Sequence, residues 1–184
     1  MAPQSPQSAD QPFFNTSALP DISSAEIDFP DTSFFHSPPS CPPQLPAPST
    51  ILEQRPDAGS QAVVKYEDLN LVVKFGTPTC VRLEEAQIMR AVRGAFPNNE
   101  VPVPKVFGWR QFGGKNFIYV SLVAGKTLRE AWPVLTEVDK KSIQDDLRRI
   151  IVTLRQVTHG LLDPFIGKLK HPLMGHFTKL PLPL

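Results

Sequence analysis

Cysteine is nearly absent from this chain of 184 residues, with Cys41 and Cys80 standing far apart. Two isolated cysteines give neither CxxC spacing nor a disulfide framework. With no histidine cluster beside them they exclude a zinc site and suggest a reducing compartment. A surplus of either charge is also missing. The 19 basic and 18 acidic residues leave a formal charge of +1, which excludes the electrostatic footprint of a nucleic-acid binder. No apolar run approaches the roughly 18 residues of a membrane span. The opening MAPQSPQSADQP has neither the charged nor the apolar region of a signal peptide. A soluble, cytoplasmic protein with no membrane or nucleic-acid partner is therefore expected.

Proline, by contrast, is abundant. Its 21 residues are about twice the usual usage of roughly 5%. Pro38, Pro39, Pro42, Pro43, Pro46 and Pro48 fall within one short run. Each fixes φ and removes an amide donor, so residues 1–50 are predicted to be a disordered Pro/Ser-rich leader. Phenylalanines at 13, 14, 29, 34 and 35 are unusual for such a tail. PQLP, from Pro43 to Pro46, has the PxxP spacing of a ligand for a proline-recognising partner. Such short patterns recur by chance in Pro-rich stretches, so a solvated leader with no dedicated partner is the simpler reading.

Order is expected from about Ile51, with Ile51 and Leu52 opening a strand and Asp57–Ser60 turning the chain. The segment QAVVKYEDLNLVVKFG holds two alternating, β-branched runs around a polar break, the pattern of a β-hairpin. Its second strand carries Lys74. Thr77-Pro78 signals a helix start, and a helix is predicted over 80–95, with Val81, Ile88, Met89, Val92 and Phe96 on one face. Glu85 falls in the middle of that apolar arc. A carboxylate there needs a cation, and Lys74 is the candidate. Strands follow at 105–109 and 116–122 around Gly113-Gly114, then a linker through Gly125, and a short helix at 127–132. Thr136 and Asp139 form a capping box for a long helix reaching about Val157, with Ile143, Leu147, Ile150, Ile151 and Leu154 as its apolar face.

Strand lysine, inward helix glutamate, two further strands and a glycine-containing linker resemble, in that order, the small lobe of the protein-kinase-like fold. The stretches LVVKFG, RLEEAQIMRAVR, VPVPKVFGW and FIYVSLVAGKTLREAW look like the fungal members of the aminoglycoside phosphotransferase (choline kinase-like) family. The resemblance implies an α+β fold: a small lobe of antiparallel sheet plus one helix and hinge over 51–125, then the start of a large lobe over 126–167. It implies ATP and magnesium as cofactors. Lys74 would contact the α/β-phosphates and be held by Glu85, and the backbone near Ser121, Leu122 and Val123 would bind adenine. Ser121 replaces the acidic residue of many relatives, and Asp57-Ala58-Gly59-Ser60 has one glycine where protein kinases have several. The plainer alternative makes Lys74 and Glu85 a structural ion pair.

A transferase of this family needs a loop of the form HGDxxxxN and a later aspartate. The nearest stretch here is His159-Gly160-Leu161-Leu162-Asp163-Pro164, with Leu161 in place of the catalytic aspartate. A hydrocarbon neither accepts a proton nor binds a metal. Lys168 to Leu184 contains no Asp or Glu and reads as an irregular, unrelated tail. No catalytic residue is assigned. The expectation is a truncated phosphotransferase-like protein, inactive alone. The alternatives are a fragment of an active phosphotransferase and a non-catalytic interaction module using its Pro-rich leader.

Overall fold

Alternation in QAVVKY and LVVKFG does build a hairpin, and the rest of the sheet is assembled on it. In a computed structural model, which describes residues 12, 19–36 and 43–157, five strands form one antiparallel sheet. They are β1 (Glu26–Asp28), β2 (Gln61–Tyr66), β3 (Leu71–Gly76), β4 (Val106–Phe112) and β5 (Lys115–Ser121), in the order β1-β4-β5-β3-β2. The helices are α1 (Pro48–Gln54), α2 (Leu83–Ala95), α3 (Leu128–Ala131) and α4 (Glu137–Arg155). The fold class is α+β.

Two-residue periodicity divides β3 between the faces of the sheet. Leu71, Val73 and Phe75 are fully buried on one side, with Phe107, Phe117 and Tyr119. Phe75 and Phe117 stack with ring centroids 5.3 Å apart. Ile51 of α1 and Phe34 of a short 3-10 turn cover this face. On the other face Trp109 and Ile118 pack under Leu83 and Ala86 of α2, together with Phe29. The β4–β5 turn needs both its glycines, since Gly113 and Gly114 have φ of +57° and +71°.

Three expectations need correcting. Residues 19–36 and 43–50 are not a disordered leader: β1 pairs with β4, and Phe29 and Phe34 enter the two cores. Burying an aromatic ring stabilises by roughly 1.5–3 kcal/mol, which offsets part of the entropy lost in ordering a proline-rich segment that has little regular structure of its own. Ile51 and Leu52 belong to α1, not a strand, because Pro48 at its start presets a helical φ. Finally, α2 begins at Leu83, and its buried residues are Leu83, Ala86, Gln87 and Val92, which rotates Glu85 to the helix margin.

The capping box at Thr136 and Asp139 is present, and so is a second one at Thr127 and Glu130 that opens α3. Of α4's apolar positions, Ile150 touches the small core of Val92, Phe96 and Val101, whereas Leu147, Ile151 and Leu154 are exposed. Among the described residues no helix is long and apolar enough to cross a membrane. Cys41, the phenylalanines at 13 and 14, the HGLLDP stretch and the tail over 168–184 lie outside the described residues.

Candidate functional site

Lys74 lies on the sheet face that α2 covers, opposite Ile118 of β5. Its Nζ donates to Glu85 Oε2 at 2.6 Å, so the expected pair forms. Burial is not what drives it. The two side chains keep 32% and 42% of their exposure, and Glu85 has solvent as well as the ammonium. An ion pair this wet contributes about 0–1 kcal/mol to stability. The lysine has three donors, and Glu85 occupies one. Two N–H groups therefore remain for oxygens of another molecule.

The position of α2 is set by two buried amides, neither of them among the residues expected from the sequence to form the site. Asn116, buried at the start of β5, donates its side-chain amide to Val81 O at 2.8 Å, tying the entry of α2 to the sheet. Gln87, on the buried face of α2, donates to Pro20 O at 2.7 Å. Both are amides inside otherwise apolar surroundings, where an unmade hydrogen bond is costly. A polar residue on an apolar helix face, the signal that marks Glu85, also marks Gln87.

Ser121, Leu122 and Val123 leave β5 in sequence and are not equivalent. The Ser121 amide donates to Lys105 O at 2.8 Å, and its hydroxyl accepts from the Lys105 amide at 2.9 Å. The Leu122 amide donates to Asn70 O at 2.8 Å. Asn70 reaches that position in a left-handed conformation at the end of the β2–β3 connection. These two amides are thus committed to the fold. The Val123 amide has no hydrogen-bond partner among the described residues, and its side chain is 70% exposed. Two residues later Gly125 turns the chain at φ +120°.

Register gives the spacing of these parts. Ile118 opposes Lys74 and Ser121 opposes Leu71, so the lysine and the start of the linker are three residues apart along the strands. At about 3.3 Å per residue that is roughly 10 Å. The free Val123 amide lies two residues further on, and an ammonium and a backbone donor set apart along the sheet in this way suit an elongated ligand with an anionic end and a hydrogen-bonding ring. Two cavities, of about 380 and 670 Å³, are lined by other residues.

Among the described residues no group of three or more His, Cys, Asp or Glu side chains is placed to hold a metal ion. Asp57-Ala58-Gly59-Ser60 precedes β2, an edge strand, and follows α1, so no strand–turn–strand flap is formed there.

No family model, curated protein or solved structure matches the chain.

Proposed function

We propose that this chain carries the nucleotide-binding lobe of an ATP-dependent phosphotransferase of the aminoglycoside phosphotransferase type and does not transfer phosphate by itself. The observation that carries the reading is the Lys74–Glu85 contact, made between an interior strand and a covering helix, with an uncommitted amide at Val123, two residues beyond the end of the neighbouring strand. ATP would place its α/β-phosphates on Lys74, with Glu85 holding the ammonium in place, and its adenine at Val123 and the backbone of Ser121 and Leu122. Ser121 and Leu122 act by shape: their own amides hold the linker to Lys105 and Asn70.

Transfer is a separate matter. It needs a base or positioning carboxylate and a metal-holding Asn, and the one HG-containing stretch after α4 reads HGLLDP. ATP is therefore bound without an acceptor being phosphorylated. Adenine nucleotide titrated into the full-length chain, followed by calorimetry, tests this. Saturable binding that disappears in Lys74→Ala supports it, and equal binding by Lys74→Ala or no binding by the native chain removes it.

The interaction-module reading gains nothing from the position of PQLP. Pro43 and Pro46 are half-buried against the lobe, and Tyr119 donates its hydroxyl to Pro46 O at 2.8 Å. A proline-recognising partner would have to pull this segment off the sheet.

A further inference from the structure

A second concentration of positive charge lies at the opposite end of α2 from Glu85. A cavity of about 380 Å³ opens between the Asp31–Ser33 turn, the last turns of α2 and the chain entering β4. Its lining includes three cations, Arg90, Arg93 and Lys105, and one carboxylate, Asp31. Asp31 is already matched: it pairs with Arg90 at 3.0 Å, and the Arg90 guanidinium also lies over the Phe29 ring at 3.8 Å. That leaves two cations. Arg93 makes one long bond, to Val103 O at 3.4 Å, and Lys105 one long bond, to Ser33 Oγ at 3.3 Å. Neither is in an ion pair among the described residues.

The helix dipole accounts for Arg93, in the last turn of α2, but not for Lys105, which comes from a different element. Lys105 is also held firmly, because its backbone makes two hydrogen bonds to Ser121. Two like charges on the rim of one cavity repel each other unless an anion lies between them. A guanidinium fork, an ammonium and a hydroxyl are the donor set for phosphate oxygens. The volume lies in the range of small-molecule sites, roughly 300–1,000 Å³.

We propose that Arg93, Lys105 and Ser33 form a binding site for a phosphate monoester group, distinct from the Lys74 surface. Occupancy would join the N-terminal segment to α2 and to the strand that anchors Ser121.

The test uses the full chain carrying Lys74→Ala, so that the nucleotide surface contributes nothing, with inorganic phosphate as probe and sodium chloride of matched ionic strength as control. At phosphate about fivefold above its Kd, the thermal midpoint should rise by about 4 °C over the chloride control. Adding Arg93→Gln and Lys105→Gln together should abolish the rise, and Arg93→Lys, which keeps the charge, should preserve part of it. No rise over chloride, or an equal rise in the double variant, overturns the proposal. Sedimentation with phosphatidylcholine vesicles containing phosphatidic acid separates the sources. Pelleting that needs Arg93 and Lys105 supports the site with a lipid headgroup as ligand, whereas retention in the supernatant, alongside the phosphate response, supports a soluble phosphate ester.

Discussion

Gln87 Nε2 and Pro20 O lie 2.7 Å apart, joining the buried face of α2 to a segment 67 residues earlier in the chain. This is one of several bonds by which core side chains hold the N-terminal segment through its carbonyls. Trp109 Nε1 donates to Ser24 O at 3.0 Å, and Arg110 to Ile27 O at 3.0 Å. Arg110 further pairs with Glu26 and Asp28, on either side of Ile27. The carbonyls of an irregular segment need such donors once it covers a core.

The N-terminal segment should therefore contribute to stability as a core element does. Phe29 is buried against Trp109 at a centroid distance of 5.5 Å. Phe29→Ala is expected to cost about 3–5 kcal/mol in urea denaturation, the range for a core aromatic. A change below about 0.5 kcal/mol, the effect of a surface substitution, would return this segment to the role of a solvated leader.

Close approach at Gly108 gives an independent check on the same docking. A Cβ there would collide with Ile27 O and lie 3.0 Å from Leu45 Cδ1. Gly108→Val should displace β1 from β4, raise amide exchange over 25–28 and leave the β2–β3–β5 ladder protected. Unchanged exchange in β1 would mean that the strand does not sit on Gly108 in solution.

Much of this fold is legible because its signals are local. Alternation in QAVVKY and LVVKFG, the Gly113-Gly114 turn and the Thr136–Asp139 box each need only a few neighbouring residues, and each is present. Lys74 and Glu85 could be paired from periodicity alone, although the arc misjudged Glu85's burial by the small rotation that moves Leu83 and Ala86 inward. The N-terminal segment was not legible in this way. Its order comes from donors on distant strands, and proline content describes only the missing local hydrogen bonds. Phe29 and Phe34 were the visible sign that a core was waiting for them.

The Lys74–Glu85 pair and the Asn116–Val81 bond should differ in what their deletion costs. With 32% and 42% of the two side chains exposed, Lys74→Ala is expected to change stability by less than about 1 kcal/mol. Asn116 is 5% exposed, and Asn116→Ala leaves the Val81 carbonyl without its donor, costing about 1–3 kcal/mol. Denaturation of both variants checks the ordering. A Lys74→Ala loss as large as that of Asn116→Ala would make the ion pair structural and weaken its assignment to nucleotide.

Acid should act on the start of α4 in a defined direction. The Thr136 hydroxyl, and then the Thr136 backbone amide, hold the Asp139 carboxyl below its ordinary value of 3.8. A depressed carboxylate contributes stability that is complete above pH 3.8 and is lost as pH falls through its lower folded value. The cap is thus predicted to persist at pH 4–5 and fray only below 3.8. Carboxyl-carbon titration by NMR should give Asp139 a pKa below 3.8, moving back toward it in Thr136→Ala. An Asp139 pKa unmoved by Thr136→Ala would contradict the assignment of that cap as its cause.

The exposed side of α4 supplies the last prediction. Leu147 and Ile151 are 47% and 42% exposed and four residues apart, so they form one stripe on the helix. Ile150, one position away, faces the Val92, Phe96 and Val101 core. Substituting Leu147 and Ile151 together by lysine should change the thermal midpoint little, because neither is buried. Exposed apolar stripes promote association, so the same pair should lower light scattering at high protein concentration. Ile150→Lys should do the reverse, lowering the midpoint by placing a charge in a packed contact. If Leu147→Lys with Ile151→Lys destabilised the chain as much as Ile150→Lys, the stripe would be covered in solution and α4 would pack on both sides.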